Sequence, residues 1–429
     1  MERGLLLGYG QKSARQEDKM KKNISVLILC NYMFTPPISG GIKRMFAPIL
    51  NMDEEAGIDF SVMYMSYTPE EIQHHQNYLK RMKQLKFFHG TLTSRNFMLD
   101  PEIVPPDFPK QVWYTMNRDF LNDVLKEVSS KKYDIIQVTH PQLAWFVPKL
   151  RLVTDAKIIM DCQNLEWLVF KRWLKYAKPE HKEWVETDYK QLKKWEEKVL
   201  DWFDGIFCIS PVEKEILVGI VKKAKIHYVP TGAGVNDKDY IPKEKNRNKP
   251  FDLVFVGSMG WFPSTDALTW LIEKVMPIVW KERPSTKLEV IGSGEPDHEL
   301  VRLFRANRKV TFWGSLENEI PILHQSKIFV SPIRIGAGVR LKNPTAWVAH
   351  LPVVATSLSV EGLECTSGVD VLIGDTPEDF ANHVLTLLGN TRLMDILAES
   401  AYKSYIKNYS TEKLMDIWKN AYYEVVDGK

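Results

Sequence analysis

Short runs of β-branched and aromatic residues alternate with longer stretches of helical spacing from residue 20 to the end of the chain. This alternation predicts parallel sheets whose strands are joined by helical crossovers. The strands predicted in the first half are 24–30, 60–64, 135–138, 157–161, 205–209 and 226–229. Those predicted in the second half are 253–256, 288–291, 310–313, 328–330, 353–355 and 371–373. The sequence therefore predicts an α/β fold with two doubly wound sheets.

The length of the chain predicts two domains. A chain of 429 residues is too long for one hydrophobic core, and two domains of about 200 residues each are expected. The first is predicted over residues 20–230 and the second over 251–410. Residues 231–250 are predicted to be a linker, because the segment 238–250 is charged and bounded by prolines.

The two ends of the chain differ in character. Residues 1–19 are polar at their end and lack the apolar region of a signal peptide, which predicts a disordered extension with Met20 as an alternative start. Residues 411–429 carry apolar side chains at helical spacing and predict a helix that packs back toward the N-terminal domain. Another helix is predicted from Thr376 to about Gly389, because Thr376 can cap its amino end and is followed by a proline and two acidic residues.

Composition limits the classes of function. With 57 basic and 54 acidic residues the formal charge is +3; it does not exclude a nucleic-acid partner but gives no reason to expect one. No apolar run reaches the roughly 18 to 20 residues of a membrane span. The cysteines are far apart and predict a reducing compartment without structural zinc: Cys30, Cys162, Cys208 and Cys365. We expect a cytoplasmic protein, with peripheral binding to the inner face of the membrane left open.

Two glycine turns lie where a predicted strand gives way to a helix. Gly40 and Gly41 follow the first strand, and Gly257 and Ser258 follow the first strand of the second half. Bare backbone amides and a helix N-terminus can approach an anionic group there. An ordinary strand-to-helix turn is the alternative interpretation of each.

A third glycine turn carries two cations. Arg340 and Lys342 stand two residues apart behind Gly336 and Gly338, a spacing that can direct both charges at a pyrophosphate. The predicted buried strand 353–355 follows shortly afterwards, so the turn is expected to be held between packed elements.

Five segments of the second half occur together in a known order and spacing. They are 254–259, 290–294, 311–316, 336–342, and 352–357 continuing through Glu361 to Leu363. In this the chain resembles the GT4 family of retaining glycosyltransferases, strongly in the second half and loosely in the first. The resemblance covers about residues 24 to 425. It implies a GT-B fold, in which two Rossmann-like domains face each other across a cleft.

The resemblance also implies roles for individual residues. Arg340 and Lys342 match the basic positions that neutralise the departing nucleotide diphosphate, an electrostatic task suited to fixed cations. The positions matched to donor binding are Gly40, Gly41, Gly257, Ser258, Gly338 and Glu361. Family members require no metal, so we expect no cofactor, and Asp237 and Asp239 are interpreted as part of the linker.

The chain departs from the family at three positions. Ala337 and Thr345 stand where two glutamates usually lie eight residues apart, and His350 replaces a usual glycine. The second of those glutamates binds the nucleotide ribose in the family. The Thr345 hydroxyl can take over that donor-binding role, although neutral hydrogen bonds contribute about 1 kcal/mol against about 1.5 to 3 kcal/mol for charged ones.

Candidate residues of the first domain lie at two predicted strand ends. His140 stands near a position where family members often carry a catalytic histidine, and a turn-capping histidine is the equal alternative. Asn164 and Glu166 follow the next strand, where polar residues meet the acceptor in the family.

The stretch 167–202 is rich in lysine, tryptophan and glutamate. It could rest on a membrane surface or hold a polyanionic acceptor. A solvated helix with its tryptophans packed inward is the alternative, because acidic residues are interleaved throughout.

Together these features predict a metal-independent, retaining, hexosyltransferase-type glycosyltransferase. It would move a sugar from a nucleotide diphosphate sugar to a hydroxyl of a polysaccharide, lipid-linked oligosaccharide or glycolipid. The absence of paired carboxylates at a convincing spacing argues against a glycosidase. The alternatives are a catalytically silent protein that binds a nucleotide sugar or a partner, a nucleotide-sugar epimerase, and a glucosyltransferase acting on modified DNA bases.

Overall fold

The computed structural model describes residues 23–31, 40–52, 54–80, 82, 85–92, 107–234, 236–242, 249–316 and 318–428. The predicted disordered extension, 1–19, lies outside the described residues, as do residues 243–248 of the predicted linker.

The first sheet has seven parallel strands in the order β3-β2-β1-β4-β5-β6-β7. Their bounds are β1 Ile24–Cys30, β2 Ile58–Ser66, β3 Leu85–Leu92, β4 Ile135–Thr139, β5 Lys157–Cys162, β6 Gly205–Cys208 and β7 Lys225–Tyr228. All but β3 were predicted. Strand β3 is at the sheet edge and is mostly half-exposed, with a lysine, a histidine and a glycine along it, so it lacks the apolar signal of the buried strands.

Helices cover both faces of this sheet. Their bounds are α1 Gly40–Asn51, α2 Pro69–Leu79, α3 Lys110–Trp113, α4 Arg118–Ser130, α5 Val147–Leu150, α6 Glu166–Trp173, α7 Pro179–Val199 and α8 Pro211–Ile220. The central strands are buried on both sides, which explains why they appear in the sequence as continuous apolar runs.

The second sheet has six parallel strands in the order β10-β9-β8-β11-β12-β13. They are β8 Phe251–Val256, β9 Leu288–Ile291, β10 Val310–Phe312, β11 Ser326–Ser331, β12 Val353–Ala355 and β13 Leu372–Ile373. The helices are α9 Phe262–Trp270, α10 Met276–Glu282, α11 His298–Ala306, α12 Ile320–Gln325, α13 Lys342–Val348, α14 Pro377–Gly389, α15 Thr391–Tyr409 and α16 Thr411–Asp427. Helix α14 starts as predicted, with the Thr376 hydroxyl accepting a hydrogen bond from the Asp379 amide.

Helix α16 returns to the first sheet. Its Trp418 and Tyr422 are buried and pack against Phe207 of β6, Trp418 edge-on and Tyr422 at a tilt. The Tyr422 hydroxyl donates a 2.6 Å hydrogen bond to Gln137 Oε1 on β4. The last helix is therefore part of the core of the N-terminal sheet.

The two sheets direct the carboxyl ends of their strands at one cavity. Gln163 and Ile209 line it directly after β5 and β6, and Gly257 and Gly292 line it directly after β8 and β9. Ligands of open parallel sheets bind at this end of the strands. Two Rossmann-like domains facing a common cleft constitute the predicted GT-B fold, and the prediction is confirmed.

Candidate active site

The interdomain cavity has a volume of about 550 Å³. Eight of the predicted site residues line it: Gly40, Gly41, Asn164, Gly257, Ser258, Arg340, Lys342 and Thr345. Four others are not among the residues that line it: His140, Glu166, Gly338 and Glu361. The structure thus brings residues from both halves of the sequence to one site.

The first glycine turn forms the start of α1. Gly40 and Gly41 are its first two residues, and both line the cavity. A Cβ added at Gly40 would lie 3.2 Å from the Leu341 side chain of the opposite domain. The amino end of a twelve-residue helix therefore meets the second domain at the cavity wall, and a helix N-terminus favours an anion.

The second glycine turn is held closely against its own domain. The Gly257 amide donates to Ile291 O at 2.9 Å. A Cβ at this position would lie 2.5 Å from the Phe255 ring, so only glycine fits without a shift of that ring. Ser258 lines the cavity, and its hydroxyl is 3.5 Å from Ser293 O.

Lys342 is a cation inside the cavity wall. It begins α13, and its ammonium lies 5.9 Å from the centre of the Phe255 ring. Among the described residues no carboxylate is paired with it. Burial lowers the pKa of Lys342 to about 8, with Glu319 opposing this and Lys43 adding to it. A bound anion would therefore find a poorly compensated positive charge here.

Arg340 is the second cation. One of its nitrogens, Nη1, donates to Gly338 O at 2.8 Å and lies 4.0 Å from Glu361 Oε1. The other, Nη2, is buried and has no hydrogen-bond partner among the described residues. Burial lowers the pKa of Arg340 to about 10; Glu361 opposes the shift and Arg172 adds to it. An anionic ligand in the cavity would supply the hydrogen-bond acceptor that this buried nitrogen lacks.

Glu361 is engaged by the opposite domain. Arg172 of α6 donates from Nη1 and Nη2 to the two Glu361 oxygens, each at 2.8 Å. Arg172 Nη1 also donates to Gly336 O at 2.7 Å. Glu361 therefore lies behind the turn that carries Arg340, and a direct contact with the donor stays a prediction.

Gly338 and Thr345 make contacts with protein groups. The Gly338 amide donates to Glu213 Oε1 of α8 at 2.7 Å. The Thr345 hydroxyl lies 2.9 Å from both Ala233 O and Leu341 O. Thr345 reaches the cavity, but its hydroxyl proton already has carbonyl acceptors, and its role toward a ribose stays a prediction.

The acceptor-side candidates of the first domain cluster around Glu166. Asn164 Nδ2 donates to Glu166 Oε1 at 2.8 Å, and His140 Nδ1 lies 3.8 Å from the same oxygen. His140 has a left-handed backbone, with φ 67°, directly before a 3-10 helix. Burial lowers its pKa, with Glu166 and Asp161 opposing the shift. Strand β5 and the turn after β4 therefore bring all three residues together, and of them only Asn164 lines the cavity.

Sequence reasoning missed a second ionic group in the cavity. Lys43 Nζ donates to Tyr240 Oη at 3.0 Å and to Glu319 Oε1 at 3.1 Å. Burial lowers the pKa of Lys43, but Glu319 and Tyr240 more than offset this, so the net shift is upward. The position of Lys43 directly after the Gly40-Gly41 turn was a usable signal. Glu319, in a polar stretch between elements, gave none.

A buried ion pair supports α1. Arg44 donates from Nε and Nη2 to Asp161 Oδ1 at 2.9 and 2.7 Å, and from Nη1 to Val229 O at 2.8 Å. Its guanidinium also lies 4.7 Å from the Trp418 ring of α16. These contacts fix α1, and with it the first glycine turn, to the central strands.

The tryptophan-rich stretch forms α6 and α7. Trp167 and Trp195 are buried, and Trp173 stacks on Phe262 of the opposite domain with ring centres 3.7 Å apart. This packing favours the interpretation of inward-facing tryptophans. Within the described parts of the chain, no helix combines the length and apolar character needed to cross a bilayer.

The described residues contain no group of three or more His, Cys, Asp or Glu side chains arranged to hold a metal ion. Asp237 accepts the Thr411 amide at 2.9 Å, and so joins the interdomain segment to the start of α16. This contact agrees with its interpretation as a linker residue.

Comparisons with known proteins agree with this architecture. Residues 250–390 match the family model described as "Glycosyl transferases group 1". An uncharacterized 44.6 kDa protein in the cps region of Klebsiella pneumoniae is 28% identical over 169 residues. That match spans 38% of this chain and 44% of the curated relative's length.

Solved structures with this fold include a sucrose-phosphate synthase from Thermosynechococcus elongatus, with 16% identity, a TM-score of 0.71, and coverage of 94% of this chain and 100% of that chain. TarM of S. aureus has 13% identity and a TM-score of 0.67, covering 94% and 99%. HepE of Anabaena has 11% identity and a TM-score of 0.61, covering 93% and 99%. The chain therefore has the GT-B fold, and its residues 250–390 are similar to the group 1 glycosyl transferases.

Proposed function

We propose that this protein transfers a sugar, of hexose type, from a nucleotide diphosphate sugar to a hydroxyl acceptor with retention at the anomeric carbon. The observation that carries the proposal is the pair Arg340 and Lys342, two half-buried cations that line one cavity between Rossmann-like domains. The region that is similar to the group 1 glycosyl transferases contains both residues.

The electrostatics of the site suit departure of a nucleoside diphosphate. Negative charge develops on the leaving group as the bond between sugar and phosphate breaks. Arg340 Nη2 has no hydrogen-bond partner, and Lys342 is paired with no carboxylate among the described residues. Lys342 and the Nη2 atom of Arg340 can therefore act on the diphosphate without first giving up a hydrogen bond or an ion pair of their own.

The proposal also specifies the stereochemistry, namely that the product keeps the anomeric configuration of the donor. Glu319 is the single acidic side chain among the residues that line the described cavity, and hydrolysis by two flanking carboxylates does not fit that arrangement. The resemblance of the Gly336 to Lys342 turn to retaining enzymes supports retention. The anomeric configuration of the product, read from its proton coupling constant by NMR, tests it directly; an inverted product would exclude this part of the proposal.

The donor and the acceptor can be narrowed with the related proteins. HepE was crystallised with UDP and with UDP-glucose, and TarM with UDP. Uridine diphosphate sugars are therefore the first donors to test. For the acceptor we propose a polysaccharide, lipid-linked oligosaccharide or glycolipid, which the relative encoded in a cps region supports.

The decisive experiment incubates the protein with a panel of nucleotide sugars. Thermal shift reports binding, and release of nucleoside diphosphate reports donor turnover. Arg340→Ala and Lys342→Ala should abolish both signals at donor concentrations that saturate the wild type. Lys327→Met is the matched control, because Lys327 is at the opposite end of β11 and pairs with Asp252 at 2.7 Å. Donor binding without turnover, with every acceptor class supplied, would favour the catalytically silent alternative.

We also propose that transfer needs no metal ion. Arg340 and Lys342 supply the positive charge that a divalent cation would otherwise bring to the diphosphate. Turnover should therefore be unchanged after dialysis against EDTA. A loss of activity that Mg²⁺ or Mn²⁺ restores would refute this.

A further inference from the structure

Glu319 is the one carboxylate in the described wall of the cavity. Its side chain is 19% exposed, and it directly precedes α12 of the second domain. The remaining charged residues of that wall are Lys43, Arg44, Arg340 and Lys342. A carboxylate repels phosphates, so any contact that Glu319 makes with a ligand should be with a part other than the phosphates.

One oxygen of Glu319 is engaged and the other is left for a ligand. Oε1 accepts from Lys43 Nζ at 3.1 Å and from Tyr240 Oη at 3.2 Å. Oε2 makes no hydrogen bond within the described structure. The Lys43 and Tyr240 contacts hold the carboxylate in place, so little rotamer freedom remains to be lost on binding.

Glu319 lies near two lysines. Lys43 donates a hydrogen bond to Glu319, and the charge of Lys43 is close enough to Lys342 to lower the pKa of Lys342. Glu319 itself also acts electrostatically on Lys342, so a group bonded to a diphosphate at Lys342 is within reach of the Glu319 carboxylate. In a nucleoside diphosphate that neighbour is the ribose, whose two adjacent hydroxyls match the two-oxygen geometry of a carboxylate.

We propose that the Glu319 carboxylate accepts hydrogen bonds from the 2′- and 3′-hydroxyls of the donor ribose, so that the site selects ribonucleotide over 2′-deoxyribonucleotide donors. This inference rests on the proposed function. It assigns selectivity to Glu319 and not to Thr345, which also lines the cavity but whose hydroxyl already has carbonyl acceptors.

The test measures the affinity of the wild-type protein for UDP, ADP and GDP and for their 2′-deoxy counterparts by calorimetry. The ribonucleotide that binds best should bind about tenfold or more tightly than its deoxy form, the discrimination expected from a hydrogen bond to a charged group. Glu319→Gln should bring this ratio close to one, mainly by weakening the ribonucleotide. Glu319→Asp keeps the negative charge on a side chain that is one methylene shorter, and it should also reduce the ratio. It replaces Glu319→Gln as the test variant if Glu319→Gln does not fold.

Two further variants test this role. Lys43→Met should also lower the ribose-to-deoxyribose ratio, because it removes a contact that holds the Glu319 carboxylate in place. Glu273→Gln, at an ion pair with Arg302 outside the cavity, should change neither affinity.

The outcomes distinguish this inference from the function on which it rests. If no nucleoside diphosphate binds the wild type, the donor-site assignment fails and this inference fails with it. Suppose that nucleotides bind the wild type and that Arg340→Ala abolishes this binding. If the wild type then shows a ribose-to-deoxyribose ratio near one, or if Glu319→Gln keeps the wild-type ratio, the inference about Glu319 is wrong while the donor-site assignment stands. An effect of Glu319→Gln on UDP-sugars but not on UDP would assign the carboxylate to the transferred sugar and would also overturn it.

Discussion

Arg172 of the N-terminal domain and Glu361 of the C-terminal domain form a bidentate ion pair across the cleft, with both N–O distances at 2.8 Å. The side chains are 22% and 24% exposed, so water screens the pair only partly. The same guanidinium holds Gly336 O. The turn that carries Arg340 and Lys342 is thereby tied to α6 of the opposite domain.

Replacing Arg172 should loosen the closed arrangement of the domains. Arg172→Ala is expected to cost about 1 to 3 kcal/mol, because the charge of Glu361 loses its partner. Chemical denaturation measures the free energy of unfolding, and small-angle scattering should show a larger radius of gyration. Lys178→Ala is the control, since its bridge to Glu299 also joins the domains but is 60% and 38% exposed and should cost less than about 1 kcal/mol. Equal effects of the two variants would contradict the assignment.

Donor affinity should fall as pH rises from 7 to 9. Burial lowers the pKa of Lys342 to about 8, so the ammonium that attracts a diphosphate is charged at pH 7 and mostly neutral at pH 9. We expect a several-fold increase in the dissociation constant of a nucleoside diphosphate over this range, measured by calorimetry. Lys342→Arg keeps its charge, and its affinity should be nearly independent of pH in the same window. A parallel decline in both proteins would exclude Lys342 as the origin.

Gly338 should not tolerate a side chain. Its φ is +69°, and an added Cβ would lie 2.6 Å from Gln163 O of the opposite domain. Gly314 provides the control, because it has the same φ but nothing within 4 Å of its added Cβ. Gly314→Ala should cost about 1 to 2 kcal/mol from backbone strain alone. Gly338→Ala should cost more and should also weaken nucleotide binding; equal losses would mean that the interdomain contact is unimportant.

Stability should depend on pH through Glu213. Burial raises its pKa to about 7, with the Gly338 and Leu165 amides opposing the shift. The folded state therefore holds a proton that the unfolded state releases near the ordinary value of 4.5. The stability that this proton gives the folded state is fully present below about pH 4.5 and is lost as the pH rises through 7.

Glu213→Gln removes that titration. Between pH 5 and 8 the wild type should lose about 2 to 3 kcal/mol of stability relative to this variant, since one pKa unit corresponds to about 1.4 kcal/mol. Parallel denaturant unfolding at both pH values measures the difference. A constant offset between the two proteins would show that Glu213 is ionised in both states.

The fold was largely predictable because buried parallel strands appear as continuous apolar runs. Strand β11 at Ser326–Ser331 and strand β12 at Val353–Ala355 are of this kind. Strand β3 was missed because an edge strand with half-exposed residues carries little of that signal. The geometry of helix α14 was predictable for a local reason, since its cap depends on Thr376 and the residues just after it.

Residues of the site were predictable from the sequence mainly where the backbone conformation requires glycine, and at the cations next to those glycines. Glycine turns and the cations beside them are recognisable in the sequence, and Gly257 and Lys342 do line the cavity. Contacts between distant segments have no such signature. Arg172 is 189 residues from Glu361, and Lys43 is 276 residues from Glu319, so only the folded arrangement of the two domains pairs them.

The return of α16 to the first sheet determines how the protein can be divided. The N-terminal domain needs the last helix to cover its core, because Trp418 and Tyr422 pack against β6. A fragment that stops after β7 would expose this apolar surface to water. The chain therefore crosses between domains twice, and the Asp237 to Thr411 hydrogen bond ties the two crossings together. Two crossings joined at one point leave the two domains fewer ways to move relative to each other than a single tether would.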